Sequence, residues 1–302
     1  MTARRDVRLG GRWTRGQRAK NAALYAAIRV ALAIATRLPP AVARALGRGA
    51  GALAHLVLPG PRRIARANVA RALPALEPAA RRDIVRRAYR ELGGHLGDAV
   101  ASLGPGRDVA LLPFPERDQR TLDDARAEGR GVLFVSAHLG PWERVAATLV
   151  AAGVPLTTVA RESYDPRLTS LYDRLRGARG VRSIYRGDPH APVRLVRTLR
   201  RGEVLGVPMD LKSRVPSVIA DFLGAPAPTP VGPARIALRT RAAVVVGTVA
   251  PGPSGLVLAV RRIPTSDVAS DDVATLTARL NREISARILA LPHAWVWMHE
   301  RW

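Results

Sequence analysis

Residues 131–143 read GVLFVSAHLGPWE, and this stretch decides the fold. Val132–Ser136 is a short apolar, partly β-branched run, the length of a strand and too short for a helix. His138 falls where that strand ends. Gly140 permits a tight turn, and Pro141 suits the first position of a helix over Pro141–Ala152. Working outward, further strand-like runs stand at Leu156–Ala160, Val204–Pro208, Val218–Phe222, Val244–Val249 and Leu256–Val260. Amphipathic stretches at Arg167–Ala178 and Pro192–Arg201 lie between them. Strand and helix alternating at this spacing predict an α/β fold with a largely parallel sheet flanked by helices. Open sheets of this kind bind ligands at the carboxyl ends of their strands, so the polar residues that follow each run are the candidates for chemistry.

Upstream, the texture is helical and punctuated by Pro39-Pro40, Pro59-Gly60-Pro61 and Pro74. Glu77 to Leu103 carries helical spacing in Ile84, Ala88, Leu92 and Leu96. Gly104-Pro105-Gly106 closes the region. The chain therefore divides into a basic helical N-terminal region, residues 1–104, that does not fold alone, and an α/β core, residues 105–302.

Composition narrows the functions. The 302 residues are 47% hydrophobic but only 4% aromatic, so small aliphatic side chains must fill the core. No cysteine is present, which excludes disulfides, thiolate metal sites and an acyl-cysteine intermediate. Arginine and lysine total 48 against 24 acidic residues, a formal +24, and only Lys20 and Lys212 are lysines. From Met1 to Leu76 the single acidic residue is Asp6, against fifteen basic ones. Such a surface attracts polyanions: anionic lipid headgroups, an acidic carrier protein or nucleic acid. Asn21–Arg37 (NAALYAAIRVALAIATR) is apolar but interrupted by Arg29, and falls short of the roughly 18 uninterrupted residues of a spanning helix. It reads as an interfacial anchor or as a packed helix. A signal peptide fits poorly, with a long basic stretch before it and no small-residue cleavage pattern after it.

His138 and Glu143 are the candidate catalytic pair. Glu143 would lie in the first turn of the helix and swing back toward the imidazole. There it would fix the tautomer and make His138 a better general base. His55 and His95 sit in helical sequence and read as packing or surface residues. His190 follows Asp188-Pro189 in a loop, with no matching metal ligands. No G-x-S-x-G elbow is present, which argues against a serine hydrolase.

HLGPWE resembles the H-x4-D/E motif of the lysophospholipid acyltransferase superfamily. It is most similar to the HxGNWE form of the LpxL/HtrB-like lipid A biosynthesis acyltransferase family, with Pro141 in place of the usual Asn. Arg161 ends the second strand, as the family's arginine does. Met209-Asp210 matches the acidic residue at the end of a later strand, although Leu211 stands where Gln is common. DFLGAPAPTPVGPARIALRTRAAVVVG, residues 221–247, resembles the family's "FFG-x-PA-x-T-x-x-GPA" stretch. HAWVWMHERW, residues 293–302, resembles its terminal W-x-W-x-H-x-RW, and Asn68 to Pro74 its "NL-x-x-x-FP". The resemblance runs in order from about residue 20 to 302.

The resemblance implies an O-acyltransferase that moves a fatty acyl group from an acyl thioester to a hydroxyl of a glycolipid such as a lipid A precursor. His138 would be the base and Glu143 its orienter. Arg161 and Asp210 would bind substrate, Arg161 at an oxyanion or phosphate, Asp210 at the sugar or by assisting His138. The bland readings are a surface ion pair for Arg161 and a turn cap for Asp210. No cofactor or metal is called for; acyl-ACP or acyl-CoA is a co-substrate. The expected partners are acyl carrier protein, anionic membrane lipids and the glycolipid acceptor, with no nucleic acid. The place of work would be the cytoplasmic face of the bacterial inner membrane, peripheral or interfacially anchored. Alternatives are a phosphatidylinositol-mannoside or other lysolipid acceptor, a thioesterase and, more remotely, a basic nucleic-acid-binding protein.

Overall fold

The computed structural model describes residues 11–104 and 110–302. Pro105 and Gly106 of the expected break, and the basic residues among 1–10, lie outside the described residues. Six strands form the main sheet: β1 (Val132–Ser136), β2 (Leu156–Ala160), β3 (Arg182–Tyr185), β4 (Val204–Pro208), β7 (Ala243–Gly252) and β8 (Gly255–Arg262). Their order is β3-β2-β4-β1-β7-β8. All neighbours pair in parallel except β7 with β8, an antiparallel hairpin at one edge. The helices α5 (Glu116–Ala127), α6 (Trp142–Ala151), α7 (Pro166–Gly177), α8 (Ala191–Arg200), α9 (Gly232–Thr240) and α10 (Val273–Ala290) flank it.

The core runs through the two central strands. Val132 to Val135 and Val244 to Val246 are all buried, as expected of strands covered on both faces. Gly247 of β7 stands where any Cβ would enter the ring of Phe134, so glycine lets that ring lie flat across the neighbouring strand.

The run at Val218–Phe222 does not join this sheet. It forms β5 (Ser217–Phe222), which pairs antiparallel with β6 (Ala225–Pro230) in a separate hairpin. Pro226, Pro228 and Pro230 cannot donate to a ladder, and a two-stranded ribbon is where a strand with alternating prolines is tolerated.

The N-terminal helices are α1 (Arg15–Ala35), α2 (Pro40–Val57), α3 (Pro59–Ala72) and α4 (Pro78–Ala101). The first begins six residues before the apolar segment, because Thr14 and Gln17 build a reciprocal capping box. Helices α2 and α4 meet backbone to backbone. A Cβ at Gly47 would strike the Gly93 carbonyl, one at Gly51 the Tyr89 carbonyl, and one at Gly97 the Ala43 carbonyl. Since α2 packs through this small-residue face, its large side chains point outward: Leu46, Leu53, Leu56 and Val57 are each more than half exposed. Helix α1 buries no residue, and Leu24, Val30 and Ile34 are exposed too. Among the described residues no helix is long and apolar enough to cross a membrane.

Helix α3 ties this region to the far end of the chain. The Asn68 amide donates to the carbonyls of Trp297 and His299 at 2.9 and 2.8 Å.

Candidate active site

The pairing of β1 with β4 runs to Ser136↔Pro208. Two residues further along each chain stand His138 and Asp210, so parallel register alone brings them level. The turn after β1 is held by Gly140, whose φ of +60° suits glycine, and by its N–H bonded to the Ala294 carbonyl at 2.9 Å.

Asp210 is completely buried, whereas the His138 side chain keeps 30% of its surface exposed. Asp210 Oδ1 lies 2.9 Å from His138 Nδ1. Asp210 Oδ2 accepts from the His138 backbone N–H at 2.8 Å and from Trp295 Nε1 at 2.8 Å. An ionised carboxylate only accepts, so Nδ1 carries the proton and Nε2 presents its lone pair. Burial pulls the His138 pKa down, but the Asp210 charge and hydrogen bond outweigh it and leave the imidazole above its ordinary value. Burial likewise pushes Asp210 up, and His138 with Trp295 brings it below the usual carboxylate range. Trp142 lies edge-on to the imidazole, ring centres 5.3 Å apart.

Glu143 does not orient His138. Its Oε1 accepts from Tyr172 Oη at 2.6 Å and from Arg176 Nη2 at 2.8 Å. Tyr172 and Arg176 are one turn apart on α7, so together they draw the carboxylate toward that helix. Burial alone would raise the Glu143 pKa; the Arg176 guanidinium holds it below the ordinary value. The orienting carboxylate is Asp210. Glu143 instead ties α6 to α7 and remains close enough to favour the His138 cation weakly.

Arg161 follows β2 directly and is exposed. Strand β4 lies between β2 and β1, so Arg161 starts about 10 Å along the same edge from the strand of His138. That reach suits a remote part of a substrate better than the reacting carbonyl.

Several contributors were not singled out from the sequence. Trp295, part of the C-terminal stretch 293–302, donates directly to Asp210. Arg301 is fully buried, giving hydrogen bonds to the Pro228 carbonyl at 2.6 Å and Thr229 Oγ1 at 2.8 Å and lying over the Phe222 ring. Burial lowers its pKa to about 10. Tyr172 and Arg176 share a helix face, but that spacing is too common to signal a role. His299 sits near enough to His138 for the two charges to oppose each other, and burial with that neighbour lowers its pKa. Beside these residues a cleft of about 280 Å³ opens between Asn68, Arg71, Lys212, Glu300 and Trp302.

A strand-end histidine with a buried carboxylate behind it and a partly exposed ring in front is an arrangement able to take up a proton, set on an α/β sheet. The family behind that arrangement follows from comparison. The model of the bacterial lipid A biosynthesis acyltransferases matches residues 16–302, and the chain belongs to that family. It is 30% identical over 191 residues to a phosphatidylinositol mannoside acyltransferase of Mycobacterium tuberculosis, a match covering 60% of this chain and 57% of that protein. The chain thus spans a little over half the length of that relative. The protein of the same name from Mycolicibacterium smegmatis is 27% identical over 271 residues, covering 88% of this chain and 86% of its own length.

Proposed function

We propose that this chain is an O-acyltransferase moving a fatty acyl group from an acyl thioester to a hydroxyl of a glycolipid. The observation that carries the reading is the His138–Asp210 pair, with Nε2 open at the carboxyl edge of the sheet. His138 Nε2 takes the acceptor's hydroxyl proton as the oxygen attacks the thioester carbonyl. The C–S bond then breaks and the departing sulfur takes that proton from the imidazolium. The products are an ester and a free thiol. Asp210 stabilises the cation formed on the way. The N-terminus of α6, beside His138, favours the negative charge that develops on the carbonyl oxygen. Glu143 keeps that helix end in place through α7, and Arg161 grips a more distant group of a substrate.

The donor is an acyl thioester of acyl carrier protein or coenzyme A, and the basic surface suits an acidic carrier. The acceptor is a lipid A precursor or a phosphatidylinositol mannoside, and the mycobacterial relatives favour the second. On this reading the protein works at the cytoplasmic face of the membrane, where an acidic carrier and a bilayer lipid could meet. Helices α1 and α2 support this by exposing Leu24, Ile34, Leu46, Leu53 and Leu56 in a stretch rich in arginine.

The test is acyl transfer from acyl carrier protein to each of the two acceptors in mixed micelles, with product masses read by mass spectrometry. Acylated glycolipid that disappears in His138→Ala supports the reading. Release of free fatty acid alone would make the protein a thioesterase and overturn it.

A further inference from the structure

Arg301 carries a charge that its own contacts do not require. It is fully buried, and its Nη1 and Nη2 donate to the Pro228 carbonyl at 2.6 Å and to Thr229 Oγ1 at 2.8 Å. Both acceptors lie on β6 and both are neutral. Among the described residues no carboxylate forms an ion pair with Arg301, and its buried Nε has no hydrogen-bond partner. The guanidinium lies over the Phe222 ring, 4.1 Å from the ring centre. With its pKa lowered to about 10 by burial, it is still a cation at neutral pH. Burying a cation among neutral groups is expensive. A clamp on the β5–β6 hairpin needs only donors, which an uncharged amide also supplies.

The charge has a recipient. Phe222 packs on Trp295, ring centres 5.6 Å apart, and Trp295 Nε1 donates to Asp210 Oδ2 at 2.8 Å. A layer of two buried rings thus leads from the guanidinium to Asp210, the carboxylate whose charge favours the cation. Charges facing each other through protein, without water between them, still interact strongly. Asp210 needs that support. It is completely buried, and in the resting site it must stay ionised while His138 is neutral. In that state all its hydrogen bonds come from neutral donors, and burial favours its protonated form. The other charged groups around the pair do not replace Arg301. Arg176 is matched by Glu143 at 2.8 Å, and burial holds His299 below its ordinary pKa. A direct ion pair with Asp210 would occupy the oxygens now bonded to His138 and Trp295. Set one layer back, Arg301 leaves them free.

We propose that Arg301 is a positioning residue for acyl transfer: its buried charge, acting across the Phe222–Trp295 layer, keeps Asp210 ionised and the proton of His138 on Nδ1. The proposal rests on the acyl-transfer reading, in which His138 is the base. Its sign follows from treating His138 and Asp210 as one titrating pair. A fixed cation nearby makes the pair bind its last proton less readily. Without that cation the pair holds the proton to higher pH, and the acidic limb of the rate profile moves upward. Loss of the Asp210 charge itself moves that limb the other way.

The test uses the full chain as wild type, Arg301→Gln, Arg301→Lys and Thr229→Asp, with kcat/KM for acyl transfer followed against pH. Arg301→Gln keeps a donor for the Pro228 carbonyl and removes the charge. Its acidic limb is expected to move up by about one pH unit, the order of a unit charge acting across roughly 10 Å of protein. Arg301→Lys restores the charge and should return the limb to its wild-type position. Thr229→Asp sets a carboxylate on the guanidinium itself and should move the limb as Arg301→Gln does. If Arg301 only clamps the hairpin, Arg301→Gln lowers the thermal midpoint and leaves the limb unmoved, which overturns the proposal. So does a limb that moves in Arg301→Gln and is not restored by lysine. Should Arg301→Gln fail to fold, Thr229→Asp decides, and an unmoved limb there is the overturning result. NMR titration of the six histidines gives a readout independent of turnover, with the His138 signal assigned by its loss in His138→Ala. If the wild type transfers no acyl group, the functional reading fails alone. A higher His138 pKa in Arg301→Gln then still supports the role of the charge, and an equal pKa overturns it.

Discussion

Replacing Asp210 by Asn isolates what the buried carboxylate does. Oδ2 now accepts two hydrogen bonds, from the His138 N–H and from Trp295 Nε1. The variant's amide oxygen will take that position, since both partners are donors. Its NH2 group then faces His138 Nδ1 and makes that nitrogen an acceptor. The proton moves to Nε2, and the ring nitrogen facing substrate can no longer take one. A wrong tautomer in an otherwise intact site costs a rate factor of about 10³–10⁴, or ~4–5.5 kcal/mol of barrier. The pH profile supplies a second signature. The wild-type base must be neutral, so activity falls as pH drops through a His138 pKa that Asp210 lifts above 6.5. Without the carboxylate, burial and Arg176 leave that pKa below 6.5, and the acidic limb moves to lower pH. The assay is thiol release from acyl carrier protein with a chromogenic disulfide, which has no background here because the chain holds no cysteine. A variant within fivefold of wild type, with an unmoved acidic limb, would refute the assignment of Asp210 as the partner of His138.

Glu143→Gln keeps an acceptor for Tyr172 but removes the counter-charge of Arg176, so a loss of roughly 1.5–3 kcal/mol of stability is expected in urea unfolding. The acidic limb of its rate profile should move far less than that of Asp210→Asn. Gly47→Leu drives a side chain into the Gly93 carbonyl and should lower the thermal midpoint by several degrees. Gly49→Ala on the same helix meets open space and should be neutral or stabilising by about 1 kcal/mol. Replacing Leu46, Leu53 and Leu56 together by Glu should abolish co-sedimentation with anionic vesicles and leave the thermal midpoint near wild type. Binding by wild type that is equal for neutral and anionic vesicles and indifferent to salt would refute the electrostatic docking.

The strands at Val132–Ser136, Leu156–Ala160 and Val204–Pro208 are legible to the residue because each is a short run rich in aliphatic and β-branched side chains, buried at its first residues. Arg182–Tyr185 was not, being four residues long with a charged residue and a serine. Ala225–Pro230 was hidden by its prolines. His138 stood out by its position after a strand, but its partner did not. Glu143 is five residues away and Asp210 seventy-two; local spacing favours the first, and only the β1–β4 register selects the second. The large apolar residues of α2 face outward because the glycines of α2 and α4 claim the packed side.

The contacts that complete the site span long stretches of chain. Trp295 reaches Asp210 across 85 residues, and Asn68 holds the carbonyls of Trp297 and His299 across 229 and 231. Closing loops of that length carries an entropic cost that must be met before the contacts reward it, and such topologies fold slowly. During synthesis residues 295–301 leave the ribosome after every strand of the sheet. A nascent chain can thus assemble β1 through β8 while Asp210 still lacks its indole donor and the β5–β6 hairpin still lacks Arg301. Turnover is then a late readout of folding, gained only when this segment has threaded back between α3 and the sheet. A chain cut before Trp295 should lose turnover, since Asp210 then has no indole donor.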